Sequence, residues 1–367
     1  MSLASAQAHQ TAERTRSFVY PRFVIALVLL TLFVTAWVWY NRVKIEVVGQ
    51  PSSTGPIQSD MERPFFEGLG KATGLPLDIR YRPIDQTGYR DTHQLTMLRE
   101  GQLDLVSLRF LQNAGVEPTL LGIDPWGLAP DFVAARAVAD AYAPVVDKRL
   151  QANFNAKLLG VWPFGPQVFF CNAPVQRLTD IRGLRVRVGH ESFGPLIAAF
   201  GATPAVIPFE DVTAALRTGM VDCAISSSGS ANAAGWAQHS THLYTLGLQM
   251  GLNGYVINLR LWNSLSQRAQ ALIEGAVLQH VETIWGHVAR VHREAISCST
   301  GGACADGLPG TLVKVEPSAQ DIKGLRDAFE RTTLRDWKDR CDDVYPGCAA
   351  EWRARVENLV EGHIHGR

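Results

Sequence analysis

Residues 180–222 read DIRGLRVRVGHESFGPLIAAFGATPAVIPFEDVTAALRTGMVD. Arg185 to Val188 alternates polar and apolar side chains, as a half-buried strand does. Phe193 to Phe200 is a helical segment stopped by Gly201, since glycine commonly ends a helix. A strand follows at Ala205 to Pro208, then a helix at Asp211 to Thr218. A short strand at Asp222 to Ile225 runs into Ser226-Ser227-Ser228-Gly229-Ser230. Strand and helix alternate throughout, which is the pattern of an α/β lobe with a largely parallel sheet.

Working outward, the same alternation recurs. Upstream, Ala156 to Trp162 and Val168 to Asn172 read as strands of this region. Nearer the N-terminus, strands are expected at Val43 to Val48, Leu77 to Arg82 and Leu103 to Leu108. Helices are expected at Ser59 to Thr73 and Thr92 to Glu100, closed by Gly74 and Gly101. Pro64 fits only near the start of the first of these, because proline lacks an N–H and clashes with the preceding turn. Downstream, Tyr255 to Asn258 is a strand. Ser266 to Ile296 is a periodic helix bearing Ala269, Leu272, Ile273, Ala276, Val277, Val281, Ile284 and Val288. A helix of that length suits a spine behind two lobes better than a coiled coil, whose strict heptads it lacks. Further helices are expected near Ser318 to Trp337 and Glu351 to Leu359. The expected lobes are residues 43–164 with 252–293, and 165–251 with 294–360.

Lys and Arg together number 35, as do Asp and Glu, so no basic excess points to nucleic acid. Phe23 to Tyr40 reads FVIALVLLTLFVTAWVWY, without a charge. As a helix it would span about 27 Å, close to the thickness of a bilayer core. Arg14, Arg16 and Arg22 precede it, which keeps residues 1–22 in the cytoplasm and sends the rest across. Trp37, Trp39 and Tyr40 sit at its far end, where amphipathic rings favour the interface. The run reads as a signal anchor or a signal peptide, with Val34-Thr35-Ala36 as the cleavage site in the second case. The expected location is periplasmic, tethered to the inner membrane through residues 23–40 unless that segment is cleaved. Of six cysteines, Cys298 pairs with Cys304 and Cys341 with Cys348 as local disulfides, which an oxidising compartment permits. Structural zinc is the rival for these four. Cys171 and Cys223 lie in apolar strand-like runs and are expected to be buried and unpaired.

Several runs together resemble the DctP-type substrate-binding proteins of tripartite ATP-independent periplasmic (TRAP) transporters. They are the Asp180-to-Val188 run, Gly201-Ala202-Thr203-Pro204, Phe209-Glu210-Asp211-Val212 and Ala215-Leu216-Arg217-Thr218-Gly219-Met220-Val221-Asp222. Asn258 with Trp262-Asn263-Ser264-Leu265, and Leu98-Arg99-Glu100-Gly101-Gln102-Leu103-Asp104, fit as well. The resemblance spans about residues 43–360. It implies a two-lobed, periplasmic-binding-protein-like α/β fold with crossing strands and a long spine helix. It further implies an extracytoplasmic receptor for a small organic acid, partnered with TRAP permease membrane subunits and needing no cofactor or metal.

A carboxylate entering a closed cleft loses its water and needs a fixed cation, and the planar fork of arginine meets both oxygens. By the resemblance Arg187 holds the ligand-clamping position, although strand alternation puts Arg185 on the same face. Arg109 follows the first-lobe strand and could meet a second carboxylate or a keto group. Gln167 falls where many relatives carry another arginine. His190, Ser226 and Asn258 are possible hydrogen-bonding contacts; Phe209 matches a packing aromatic; Tyr89, Phe164 and Gln249 are possible wall residues.

An enzyme is the first rival reading, a hydrolase above all. Gly189-His190-Glu191-Ser192-Phe193-Gly194 matches the G-x-S-x-G elbow only loosely, and no phosphate- or dinucleotide-binding loop occurs. His363 and His365 read as exposed tail residues. A membrane-tethered sensory module is the second rival. Sequence leaves the oligomeric state open.

Overall fold

The computed structural model describes residues 23–30, 42–127, 131–305, 307–357 and 359. Its strands, in chain order, are β1 (Val43–Gly49), β2 (Leu77–Pro83), β3 (Leu105–Arg109), β4 (Ala156–Pro163), β5 (Gln167–Cys171) and β6 (Arg185–Val188). They continue as β7 (Thr203–Val206), β8 (Cys223–Ser227), β9 (His242–Tyr244), β10 (Leu252–Asn258) and β11 (Val313–Val315). The helices used below are α1 (Arg63–Thr73), α2 (Phe132–Phe154), α3 (Ser228–Ala233), α4 (Gln267–Ser299), α5 (Ala319–Phe329) and α6 (Arg335–Val344).

Two mixed sheets define two lobes. The first runs β2-β1-β3-β10-β4 and the second β11-β9-β5-β8-β6-β7. Within the quoted stretch, β6 pairs in parallel with both β7 and β8. The α/β reading therefore holds, with β7 beginning at Thr203, slightly earlier than the Ala205 expected. Strands β8 and β10 are buried at every position, which is why their composition is almost wholly apolar or small.

The spine helix α4 runs 33 residues, capped by the Ser266 side chain, which accepts from Ala269 N–H. It lies on β4, where Trp285 Nε1 donates to the Val161 carbonyl at 2.9 Å. It also lies on α3 of the second lobe, where a Cβ on Gly229 would come within 2.7 Å of Val291 Cγ1. Glycine at 229 is what lets the two helices approach that closely. One face of α4 buries Ile273, Val277, Val281, Ile284 and Val288. Each such side chain stabilises by about 1.5–3 kcal/mol, so this face fixes the helix to both lobes at once.

The lobes are joined where three segments cross. Phe164 and Gly165 donate to the carbonyls of Gly251 and Met250, Gln167 donates to Gln249, and Leu248 donates back to Gln167. Asp124 braces the crossing from the third segment: Oδ1 accepts from Met250 N–H at 3.0 Å and Oδ2 from Leu252 N–H at 2.8 Å. Burial pushes the Asp124 carboxyl up to about 6, against the opposing pull of those amides. Folded Asp124 thus holds its proton above the ordinary 3.8. Its contribution to stability is full below pH 3.8 and is lost as pH rises through 6. The unfolding free energy of the wild type relative to Asp124→Asn should therefore fall by about 2.4 kcal/mol between pH 4 and 7. A difference that stays flat across this range contradicts the buried-carboxyl account.

Several expectations need correction. Cys171 and Cys223 are not unpaired; they form a disulfide, because β5 and β8 set them directly opposite each other in antiparallel register. The bonds Cys298–Cys304 and Cys341–Cys348 are present as expected, so every described cysteine is oxidised. Helix α2, 23 residues long, has no counterpart in the sequence reading. Pro144 interrupts its pattern, and its alanine-rich surface is buried on more than one side, so no single apolar face stands out. The helix expected at Ser318 to Trp337 is present and continues unbroken to Val344, with α5 and α6 joined through a wide helical turn at Glu330–Leu334.

Of the apolar N-terminal run, residues 23–30 are helical and exposed, Phe23 at 75%. The arginines before it, Val34-Thr35-Ala36 and the aromatic end at Trp37, Trp39 and Tyr40 lie outside the described residues, as do His363 and His365. Among the described residues no helix is long and apolar enough to cross a membrane.

Candidate functional site

A cleft of about 930 Å³ opens between the two sheets. Its floor is the crossing, and its walls are the ends of β3 from one lobe and of β5, β6 and β8 from the other. Arg187, Arg109, Gln167, Phe209, Ser226, Tyr89, Phe164 and Gln249 all line it. His190 and Asn258 do not.

Arg187 is deeply set, 5% exposed on β6. Its Nε donates to the Ile207 carbonyl at 2.8 Å and its Nη1 to the Ile225 carbonyl at 2.9 Å. The guanidinium also lies over the Trp236 ring, 5.9 Å from its centroid, and Trp236 in turn packs on Phe209 at 5.4 Å. Two carbonyls and a ring therefore fix the group in place. Of its five N–H donors, two are used, leaving one on Nη1 and both on Nη2, the end-on edge of the fork. Burial first, and the Arg109 guanidinium second, push Arg187 down to about 10, while Glu210 acts in the opposite sense. It stays charged at neutral pH in surroundings that disfavour the charge. No ion pair to Arg187 occurs among the described residues. Arg185, its neighbour on the same strand face, is instead exposed at the strand start and bound to Asp222 at 2.7 Å, which resolves the ambiguity between them.

Across the cleft, Arg109 at the end of β3 is ion-paired with Asp91 at 2.7 Å. The Gln167 amide turns its Nε2 to the Gly165 carbonyl at 2.8 Å. Gly251 makes room for it: a Cβ there would sit 2.9 Å from that nitrogen, and the backbone φ of +67° suits glycine. Ser226 leaves its hydroxyl to the cleft, since the capping role falls to Ser227, whose Oγ accepts from Ser230 N–H at 3.3 Å. Phe164 packs edge-on to Trp162 at 5.1 Å and forms apolar wall.

The two residues outside the lining serve the chain locally. His190 Nδ1 accepts from Ser192 N–H at 3.2 Å, capping the short turn after β6, and burial lowers its pKa. Asn258 Oδ1 accepts from Arg260 and Leu261 N–H while its Nδ2 donates to the Leu98 carbonyl. The charged lining residues that escaped the sequence reading are Asp85, Arg90, Asp91, Asp124 and Glu210. For Asp124 the only signal was an acid beside Pro125 in a loop, which says nothing of burial. Among the described residues no three His, Cys, Asp or Glu side chains gather to hold a metal ion.

A pinned, desolvated guanidinium in a cleft between two hinged α/β lobes defines a solute-capturing receptor. The model of the family described as bacterial extracellular solute-binding protein, family 7 (DctP), matches residues 52–304, and the chain belongs to that family. It is thus a periplasmic binding protein and not an enzyme. The sialic acid-binding periplasmic protein SiaP of Vibrio cholerae is 24% identical over 316 residues, covering 83% of this chain and 94% of SiaP. The C4-dicarboxylate-binding periplasmic protein DctP of Rhodobacter capsulatus is 25% identical over 226 residues, covering 59% and 66%. Among solved structures, a TRAP periplasmic solute binding protein from Desulfovibrio salexigens with bound orotic acid superposes with a TM-score of 0.73. It is 16% identical, covering 86% of this chain and 99% of that one.

Proposed function

We propose that the protein captures a small organic acid in the periplasm through Arg187 and delivers it to a TRAP-type permease. The observation that carries this reading is a buried cation whose backbone partners are fixed and whose free N–H edge has no carboxylate of its own. Burying such a charge unpaired costs several kcal/mol, about as much as an incoming carboxylate can offset. Ligand held by one lobe supplies contacts for the other, which shifts an open–closed equilibrium about the crossing at Asp124. Residues 43–164 with 252–293 and residues 165–251 with 294–360 would move as the two lobes. Calorimetry of the intact and Arg187→Ala proteins, using an acid that raises the wild-type melting midpoint, tests the reading. Lost binding supports it; unchanged affinity overturns it.

Residues 23–40 tether the receptor to the inner membrane in this proposal. The exposed apolar helix at 23–30 supports it, with Phe23, Val24, Ile25 and Leu27 all turned outward. Fractionation of cells making the full chain should place it with the membranes. A soluble periplasmic product whose N-terminus lies beyond residue 36 removes the anchor.

A further inference from the structure

The tether at residues 23–40 limits where lipid can lie against the protein. Val43, the first residue of β1, follows so soon after Tyr40 that the chain between them reaches at most about 11 Å. The N-terminal end of β1 is therefore held at the membrane surface. The cleft lies at the other end of the same strand. Pro51 and Ser53 follow β1 and line it, as do Ile84 after β2 and Arg109 at the end of β3. Strands β2 and β3 run parallel to β1, so these positions share one edge of the lobe. The strand of 7 residues between the two edges is about 20 Å long.

The membrane-side edge gathers cations. Arg42 and Lys44 stand at the head of β1, where Val43 N–H donates to the Pro76 carbonyl at 2.9 Å. Lys71 lies in the last turn of α1, just before that loop. Arg99 lies in the last turn of the helix Gln94–Glu100, and Arg260 in the first turn of the helix Leu259–Ser264. These two helix ends adjoin, since a Cβ on Gly101 would come within 2.5 Å of Arg260 Nη2. Asp104 ties them to β1: its carbonyl accepts from Asn258 N–H at 2.7 Å and its Oδ2 from Glu46 N–H at 2.9 Å. All five cations are exposed, and none is ion-paired among the described residues. The exposed acids nearby are Asp78, Glu100 and, one turn back along α1, Glu67; Glu46 is taken by Arg82. Positive charge is left over at this edge, although the whole chain balances 35 basic against 35 acidic residues.

We propose that this edge docks on anionic lipid headgroups, so that the receptor waits for solute with its first lobe on the membrane and its cleft facing away. This rests on the proposed tether, which brings the edge to the lipid; the cations then choose the orientation. Each exposed cation near an anionic surface strengthens the contact by about fivefold.

Headgroup quenching on the full chain tests this. Every described cysteine is disulfide-bonded, so a thiol introduced by Ala72→Cys on the basic edge, or by Gln86→Cys on the cleft edge, can be labelled selectively with a fluorophore. Each labelled protein is reconstituted into vesicles of phosphatidylcholine, with or without an equal part of phosphatidylglycerol, carrying a nitroxide-headgroup lipid. With phosphatidylglycerol, the probe at 72 should lose most of its emission and the probe at 86 little. Without it, or in about 1 M salt, where charges are screened within about 3 Å, the loss at 72 should shrink severalfold. Arg99→Glu combined with Arg260→Glu should shrink it likewise while the melting midpoint holds. Equal loss in both vesicle types, or at both positions, in protein that floats with the vesicles overturns the docking and leaves the tether standing. A probe at 72 that stays bright in both vesicle types does the same and gives this edge to a protein partner. Protein that does not float with either vesicle overturns tether and docking together.

Discussion

Arg187→Ala should lower affinity for the cognate acid by about 30-fold or more while the ligand-free protein still folds. Truncating one partner of a buried, hydrogen-bonded charge pair costs roughly 2–5 kcal/mol, because the other charge is left desolvated and alone. The ligand-free protein does not share this loss. Burial and Arg109 hold Arg187 down at about 10, so at neutral pH the empty cleft carries a charge that its surroundings disfavour. Removing the side chain relieves that cost as it frees the carbonyls of Ile207 and Ile225 to cleft water. The melting midpoint of the empty protein should move by only a few degrees. The increment produced by saturating acid, worth about 2.7 kcal/mol at a hundred times Kd, should vanish. Arg187→Lys keeps a charge but not the planar fork and should fall between the two. Thermal melts with and without acid, alongside calorimetry, separate these effects. A large drop in the empty protein's midpoint with affinity intact would make Arg187 a structural residue.

The second large effect belongs to the disulfide between β5 and β8. Replacing Cys171 and Cys223 together by alanine should destabilise the protein by about 4 kcal/mol, on the loop-entropy view for a closed loop of this length. The bond spans 52 residues, whereas Cys298–Cys304 spans only 6 and should contribute about 2 kcal/mol. The loop it closes contains β6 and β7, and hence Arg187, so its loss should loosen the wall that carries the cation. Both cysteines are fully buried, and two alanines also leave unfilled volume in the core. Denaturant unfolding of the double variant, compared with the Cys298/Cys304 double variant, checks this. An equal or smaller loss for Cys171/Cys223 contradicts it.

That same bond marks where sequence ceased to be informative. Cys298 and Cys304, like Cys341 and Cys348, are neighbours along the chain, so proximity alone paired them. Cys171 and Cys223 meet only because an antiparallel register places them opposite one another, a long-range fact that no local pattern encodes. The β6-to-β8 stretch and helix α4 were legible for the opposite reason: their periodicity, glycine stops and caps are local. Helix α2 was hidden by Pro144 and by burial on several sides. Strands β9 and β11, three residues each, are too short to carry a pattern.

In the cleft, Arg187 could be singled out by resemblance, but its distinction from Arg185 could not. Two residues apart on one strand, one sits at the exposed strand start beside Asp222 and the other reaches the carbonyls of Ile207 and Ile225. His190 and Asn258 had the right chemistry and adjacency for ligand contact, yet both are engaged locally with the amides they cap. Asp124 lay in plain view as an acid before a proline, and only the crossing of β10 over it made it a brace.

The most direct measurement is a structure of the protein with its acid bound, read at one distance. A carboxylate oxygen should lie within about 3 Å of Arg187 Nη1 or Nη2, with Nε still on Ile207. A ligand seated in the cleft with that guanidinium edge left facing water would contradict the account.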